Sequence, residues 1–382
     1  MKVVIAIDSF KGSLSSMVAG GVASESIKKI LPNAKVKVYP LADGGEGTVD
    51  ALTQGLNGEI INVEVTGPLG LKVSSRYGKI NQTAIIEMAD AAGLTLVPEN
   101  ERNPLNTTTY GLGELILSAA EDGCRDFIIG IGGSATNDCG LGMLTALGFE
   151  FRENHGFKSG VFGRDLQNIS EIDIANVNNI IKDCHFKIAC DVNNPLTGAN
   201  GCSAIYAPQK GATPEIVEDM DTWIGNFAEL SNKTLNIKES SVAGDGAAGG
   251  LGFAFRTFLN GELVKGIDLV LDLIGIDGEF SDADLLITGE GRLDGQSVMG
   301  KAPVGVAQLA KSINDKIVTI AICGCATREA IKVHEAGIDV YFPILQTPMS
   351  TEEAMRSEIA KFNLSRTIEE IVRLCIAQKK FL

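Results

Sequence analysis

Residues 284–307, DLLITGEGRLDGQSVMGKAPVGVA, decide how the rest of the chain is read. The apolar run 285–287 gives way to a segment holding two acids, one arginine, one lysine and four glycines, and the pattern turns amphipathic from Lys301. That order predicts a strand over 284–288, a polar loop over 289–300 and a helix from 301. In open α/β sheets such a loop lies beyond the carboxyl end of its strand, where ligands bind, and glycine lets a backbone approach a phosphate closely. The stretch is therefore a candidate active-site loop.

The same grammar recurs on both sides of it. Near the amino end, residues 2–8, KVVIAID, form a buried-strand pattern, followed by SFKGS and a helix whose apolar side carries Met17, Val18, Val22, Ile27, Ile30 and Leu31 before Pro32 ends it. A second strand, 35–40, runs into LADGGEGT. Beyond residue 307 come a strand at 317–322, a helix at 327–336, a strand at 339–344 and a helical tail with Ile359, Ile368, Ile371 and Val372. These segments predict five parallel strands joined by crossovers. Between the two ends the pattern differs: 59–65, 71–77 and 83–88 are short alternating segments with no helix between them, which is a meander. A strand at 126–131 runs into GGSATNDCGLG, another at 185–190 ends at Asp191, and 214–230 is an amphipathic helix. The expected fold class is α/β in two domains. One is a flavodoxin- or Rossmann-like parallel sheet formed by both chain ends, 1–66 plus 278–382; it is interrupted by a second, mixed α/β domain, 67–277.

Size and composition agree with two domains: 382 residues, 21% charged and 5% aromatic, with 44 glycines. The formal net charge of -15 and the lack of any long basic run argue against nucleic acid or an anionic membrane as partner. A chain this acidic must gather its cations locally to bind an anion, which directs attention to Lys11, Arg292 and Lys301. Eight scattered cysteines without a C-x-x-C pair, and only three histidines, argue against zinc and for reduced thiols. No apolar run approaches the roughly 20 residues of a membrane span, and 3–7 is too short for a signal peptide before Asp8. A cytoplasmic protein, monomeric or homodimeric, is expected.

If the end strands are parallel, the loops 8–12, 43–48 and 289–300 lie on one edge of the sheet and their polar groups converge. Residues 295–301 nearly match a phosphate loop, but Ala302 stands where a hydroxyl should ligate magnesium. Lys301 and the amides of a helix start can still hold an anion. Residues 130–135, GIGGSA, fit the dinucleotide fingerprint, but the acid expected about 20 residues on could only be Glu150 or Glu153. The same small residues suit the phosphates of a mononucleotide. Asn137 and Asp138, directly beyond, can ligate Mg²⁺ or cap a helix. Acids opposite an anion loop suggest phosphoryl transfer. Asp43, Glu46, Asp191 and Asp294 are then candidates for metal binding and the base, and Arg292, Lys11 and Lys301 for the transferring group.

Taken together, these strings resemble the type I glycerate kinase family of bacteria along essentially the whole chain. The resemblance is carried by DSFKGSLSS at 8–16, ADGGEGT at 42–48, GGSATND at 132–138, CDVNNPLTG at 190–198, GAAGGLG at 246–252 and ITGEGRLDGQSVMGKAPVGVA at 287–307. It implies ATP-dependent phosphorylation of D-glycerate, mainly to 2-phosphoglycerate, with Mg²⁺, in an interdomain cleft. Cys139 and Cys202 stand where such proteins commonly have glycine and alanine. Within the resemblance, Arg292 is the expected partner of the glycerate carboxylate, its planar fork suiting two oxygens at once. Ser9, Lys301, Asp43 and Glu46 complete the substrate side. Gly132, Gly133, Ser134 and Asn137 are expected at the ATP phosphates and Asp138 at the metal. Asp191 is the expected base, with Asp294 as rival and Lys11 as a catalytic cation. An NAD-dependent oxidoreductase of a small hydroxy acid and a non-catalytic sugar-acid binding protein are the alternatives.

Overall fold

A computed structural model describes residues 1–238, 242–295, 297–299 and 301–378. The chain opens with β1 (Lys2–Ile7) and β2 (Lys35–Pro40). It continues through β3 (Glu59–Thr66), β4 (Lys72–Ile80), β5 (Thr83–Glu87), β6 (Asp126–Gly130), β7 (Glu150–Glu153), β8 (Ile169–Asp173), β9 (His185–Ala189) and β10 (Glu262–Val264). It closes with β11 (Leu285–Leu293), β12 (Val318–Ala326) and β13 (Val340–Pro343). Two compact units result, one of residues 1–43, 50–57 and 267–382, the other of 44–49 and 58–266.

In the first unit the strands run β13-β12-β11-β1-β2, and every neighbouring pair is parallel. The chain ends thus make one parallel sheet. Residues 3–7 are wholly buried, as a central parallel strand covered on both faces requires. Val3, Ile5 and Ile7 face the helices Ser16–Ile30 and Ser357–Gln378 through Ala19, Ala23, Ile27, Leu364 and Ile368. Ser15 caps the first of these helices by accepting from the Val18 amide. The segment expected as a helix at 327–336 forms tighter 3₁₀ turns over Arg328–Ala336.

The opening stretch departs from its expected form. Its strand does not stop at residue 288 but continues to Leu293, because Arg292 and Leu293 stay in register with Cys325 and Ala326 of β12. The glycines there serve close strand packing as well as ligand approach. A Cβ on Gly289 would lie 2.1 Å from the Ile322 carbonyl oxygen. Gly289→Ala is expected to lower stability by about 3 kcal/mol, the overpacking range for a rigid backbone neighbour. Thermal melts of the variant against the parent protein measure it. Gly300, the second glycine of the phosphate-loop match, lies outside the described residues.

The second unit carries a mixed sheet ordered β10-β9-β6-β5-β4-β3, with a separate β7-β8 pair. β3, β4 and β5 are the expected meander, antiparallel throughout, while β5, β6, β9 and β10 pair in parallel. β3, on the first-domain side of the boundary read at residue 66, pairs along its whole length with β4 and so belongs to this sheet. Phe127 and Phe186, on adjacent strands, stack at 5.0 Å in a core shared with Leu112, Leu115 and Phe255. Among the described residues no helix is long and apolar enough to cross a membrane.

Candidate active site

Three carboxylates meet at the carboxyl edge of the parallel sheet. Asp8 follows β1, and its amide extends the ladder by donating to the Gly289 carbonyl at 2.9 Å. Asp43 follows β2, and Glu290 lies on β11. Asp8 and Glu290 are each only 8% exposed. Burial pushes the Asp8 carboxyl up to about 7; the neighbouring charges of Asp43 and Glu290 add to this, and the Ser9 amide and Lys11 oppose it. Burial also raises Glu290, against a hydrogen bond from Ser297 and the charge of Lys301. Ser297 organises the turn after β11: its hydroxyl donates to Glu290 Oε1 at 2.5 Å and accepts from the Asp294 amide at 3.0 Å.

Asp8, Asp43 and Glu290 line a cavity of about 460 Å³ within the first unit. Of the residues expected from sequence, Ser9, Lys11, Asp43, Arg292, Asp294 and Lys301 all line it. Arg292 is exposed, with Nε 3.7 Å from Asp294 Oδ2. Lys301 is half-buried at the cap of the helix Ala302–Ile313. Phe10, Leu345, Met349 and Met355 supply an apolar wall. Asp8 and Glu290 were not singled out from sequence. The available signal was the position of Asp8 directly after the apolar run 3–7.

The other expected residues lie in the second unit. Glu46 is exposed. Asp191 follows β9, is exposed, and accepts from the Gly266 amide through Oδ1 at 3.0 Å. Gly132 and Gly133 are exposed just beyond β6, and Gly133 adopts φ +74°, a left-handed conformation that favours glycine. Backbone bonds Leu94 N to Gly133 O and Ala135 N to Ala92 O, both 2.9 Å, pin the loop. No helix starts at these glycines: the next one, Leu141–Ala146, has six residues. The dinucleotide fingerprint therefore lacks the helix terminus that would face a pyrophosphate.

Asn137 and Asp138 sit deeper than the glycines before them. Both are 0% exposed. Asn137 donates to Ser203 Oγ at 2.9 Å beneath the loop and does not reach its surface. Asp138 accepts from the Thr109 amide and hydroxyl and from the Gly140 and Gly142 amides, so its lone pairs serve to hold the loop. These four bonds make it a clamp for the loop. Asp138→Asn turns an amide donor toward these donors and should destabilise the fold by about 1–3 kcal/mol, with the Mg²⁺ dependence of activity unchanged; melting and a Mg²⁺ titration check the two halves. Next to it Cys139 holds φ +50°, a left-handed conformation that glycine adopts at less cost.

The glycerate kinase family model matches residues 3–376. A glycerate kinase of Bacillus subtilis is 44% identical over 97% of each chain. A glycerate 2-kinase of Escherichia coli is 44% identical over 93% of each. A crystal structure designated glycerate kinase 2, from Salmonella typhimurium LT2, superimposes with TM-score 0.91 at 42% identity, covering 100% of this chain and 99% of that one. A mixed α/β protein with a parallel sheet built from both ends and a cavity of acids and cations at its carboxyl edge is thus, by class, a kinase. The chain belongs to the glycerate kinase family.

Proposed function

We propose that the protein transfers the γ-phosphoryl group of ATP to D-glycerate, giving 2-phosphoglycerate. The observation that carries this reading is the cavity that sets Lys11, Arg292 and Lys301 beside Asp8, Asp43 and Glu290. Cations there suit the acceptor's carboxylate and the charge of the incoming phosphoryl group, and a buried acid suits removal of a proton. The glycerate hydroxyl oxygen bonds to the γ-phosphorus, the bond from that phosphorus to the bridging oxygen breaks, and ADP leaves.

Asp8 is the inferred acceptor of the hydroxyl proton, ahead of Asp191 and Asp294. It lines the cavity, and its surroundings hold its carboxyl near neutral pH, where a base is most effective. Arg292 orients the glycerate carboxylate, with Ser9 and Lys301 beside it. The exposed Gly132–Gly133 turn and Ser134 are assigned to the ATP phosphates.

Asp8, Asp43 and Glu290 line one cavity, but among the described residues no three His, Cys, Asp or Glu side chains are arranged to hold a metal ion by themselves. That donor set fits Mg²⁺ carried by the nucleotide phosphates, the usual manner in kinases, better than a dedicated protein cage. Bound there, Mg²⁺ would neutralise phosphate charge.

ADP release in a coupled assay tests the reading, and ³¹P NMR of the product separates 2- from 3-phosphoglycerate. ADP release no faster with D-glycerate than without it removes the reading. Glycerate binding without ADP release would leave a sugar-acid binding protein.

A further inference from the structure

Lys210 looks in sequence like a surface residue of the PQK turn, yet it is only 2% exposed. Its ammonium lies 2.6 Å from Ser134 Oγ and 2.6 Å from the Thr136 carbonyl oxygen. Among the described residues no carboxylate stands within ion-pair distance of it. The charged or titratable groups that face it are Asp138, whose oxygens are taken by four donors, and the buried Cys202 thiol. A buried cation without an ion pair costs folding free energy, and this one is bonded to Ser134, the residue directly after the exposed glycines 132 and 133.

The geometry also fixes a direction. An ammonium can only donate, so Ser134 Oγ must accept from Lys210, and the hydroxyl's own hydrogen remains for another acceptor. We propose that Lys210 is a positioning residue for an anion: it holds Ser134 as a donor and places positive charge behind the 132–134 turn, where a nucleotide phosphate docks. The inference deepens the assignment of that turn to ATP and rests on it.

The titration of Lys210 supplies a signature that a purely structural lysine would not share. Burial lowers its pKa to about 8, partly offset by Cys202 and Asp138. Above that pH the amine is neutral and can itself accept, so both the charge and the orientation of Ser134 are lost. ATP affinity therefore falls as pH rises through about 8. Fold stability moves the other way, because the lowered pKa penalises the charged form in the folded state and the penalty fades as pH rises from about 8 to the unfolded value of 10.5. Burial raises Cys202 to about 11, outside the lower part of this window.

The test is ATP titration calorimetry, run beside D-glycerate turnover, on the parent protein, Lys210→Met, Ser134→Ala and the double variant. Lys210→Met is expected to weaken ATP binding about 10-fold or more and to leave KM for D-glycerate within about twofold. The double variant should be no weaker than the worse single one, since both act along one path. The parent's affinity should fall between about pH 7.5 and 9.5 and that of Lys210→Met should stay flat. Unchanged ATP affinity in a folded Lys210→Met overturns the proposal. Should that variant fail to fold, a flat pH dependence in the parent overturns it. Glycerate phosphorylation that persists alongside either result leaves the proposed activity standing, whereas a parent protein that binds no ATP removes both.

Discussion

Asp8→Asn is expected to lower kcat by about 10² to 10⁴ while KM for D-glycerate stays within a few-fold, the signature of a lost proton acceptor. The parent's activity should fall on the acid side of about pH 7, where the Asp8 carboxyl takes up its proton, and the variant should lose that limb. Stability supplies an independent check. The folded-state pKa of Asp8 is raised, so the folded protein holds the proton more tightly than the unfolded chain. Stability therefore declines as pH rises from about 4 to about 7 and stays lower above that window. Asparagine carries no charge to desolvate, so Asp8→Asn should be more stable than the parent at pH 8, by at most about 4 kcal/mol, with a higher melting temperature there and one near the parent's at pH 4. A slower yet more heat-stable enzyme is the expected combination. A loss of 10²-fold for Asp191→Asn, with Asp8→Asn within fivefold of the parent, would move the base to the second unit.

Arg292→Ala is expected to raise KM for D-glycerate by about 10- to 100-fold, the range for a charge-assisted hydrogen bond, with a smaller change in kcat. Arg292→Lys should recover only part of the loss, because a point charge cannot match the two carboxylate oxygens. KM for ATP should remain close to the parent's in both variants. Steady-state kinetics with each substrate varied in turn separate these quantities. A glycerate KM that does not change in Arg292→Ala would leave Lys11 or Lys301 as the carboxylate's partner.

Much of the first unit was legible because central parallel strands leave an unmistakable trace: VVIAI, residues 3–7, has no polar residue to interrupt it, and the acid that follows marks the strand end. The length of β11 was not legible. Its last residues, GEGRL, read as a loop by composition, and only pairing with β12 keeps them extended. β10, three residues long, carries too little pattern to separate it from the helix that follows. The site was half visible. Lys11, Asp43, Arg292, Asp294 and Lys301 stood out as charges in glycine-rich strings. Asp8 and Glu290 are set apart by their mutual proximity and burial, which no local pattern encodes. Asn137 and Asp138 illustrate the converse. A polar pair after a glycine turn reads as accessible, whereas here both side chains point into the unit and hold the loop. Lys210 gave no sign, since nothing in PQK distinguishes a buried lysine from a solvated one.

The place of β1 between β2 and β11 has a consequence for biosynthesis. β2 follows β1 almost at once, but β11 begins only at residue 285. At about 5–20 residues per second on the ribosome, the apolar edge of β1 waits roughly 15–50 s for its second neighbour. Residues 58–266 have all been made by then, so the second unit can finish folding first. Glu290, Arg292 and Lys301 arrive with the late strand and the turn after it. A chain released early would therefore present a sticky half-sheet without the cavity of acids and cations, which is completed only in the closing stage of synthesis.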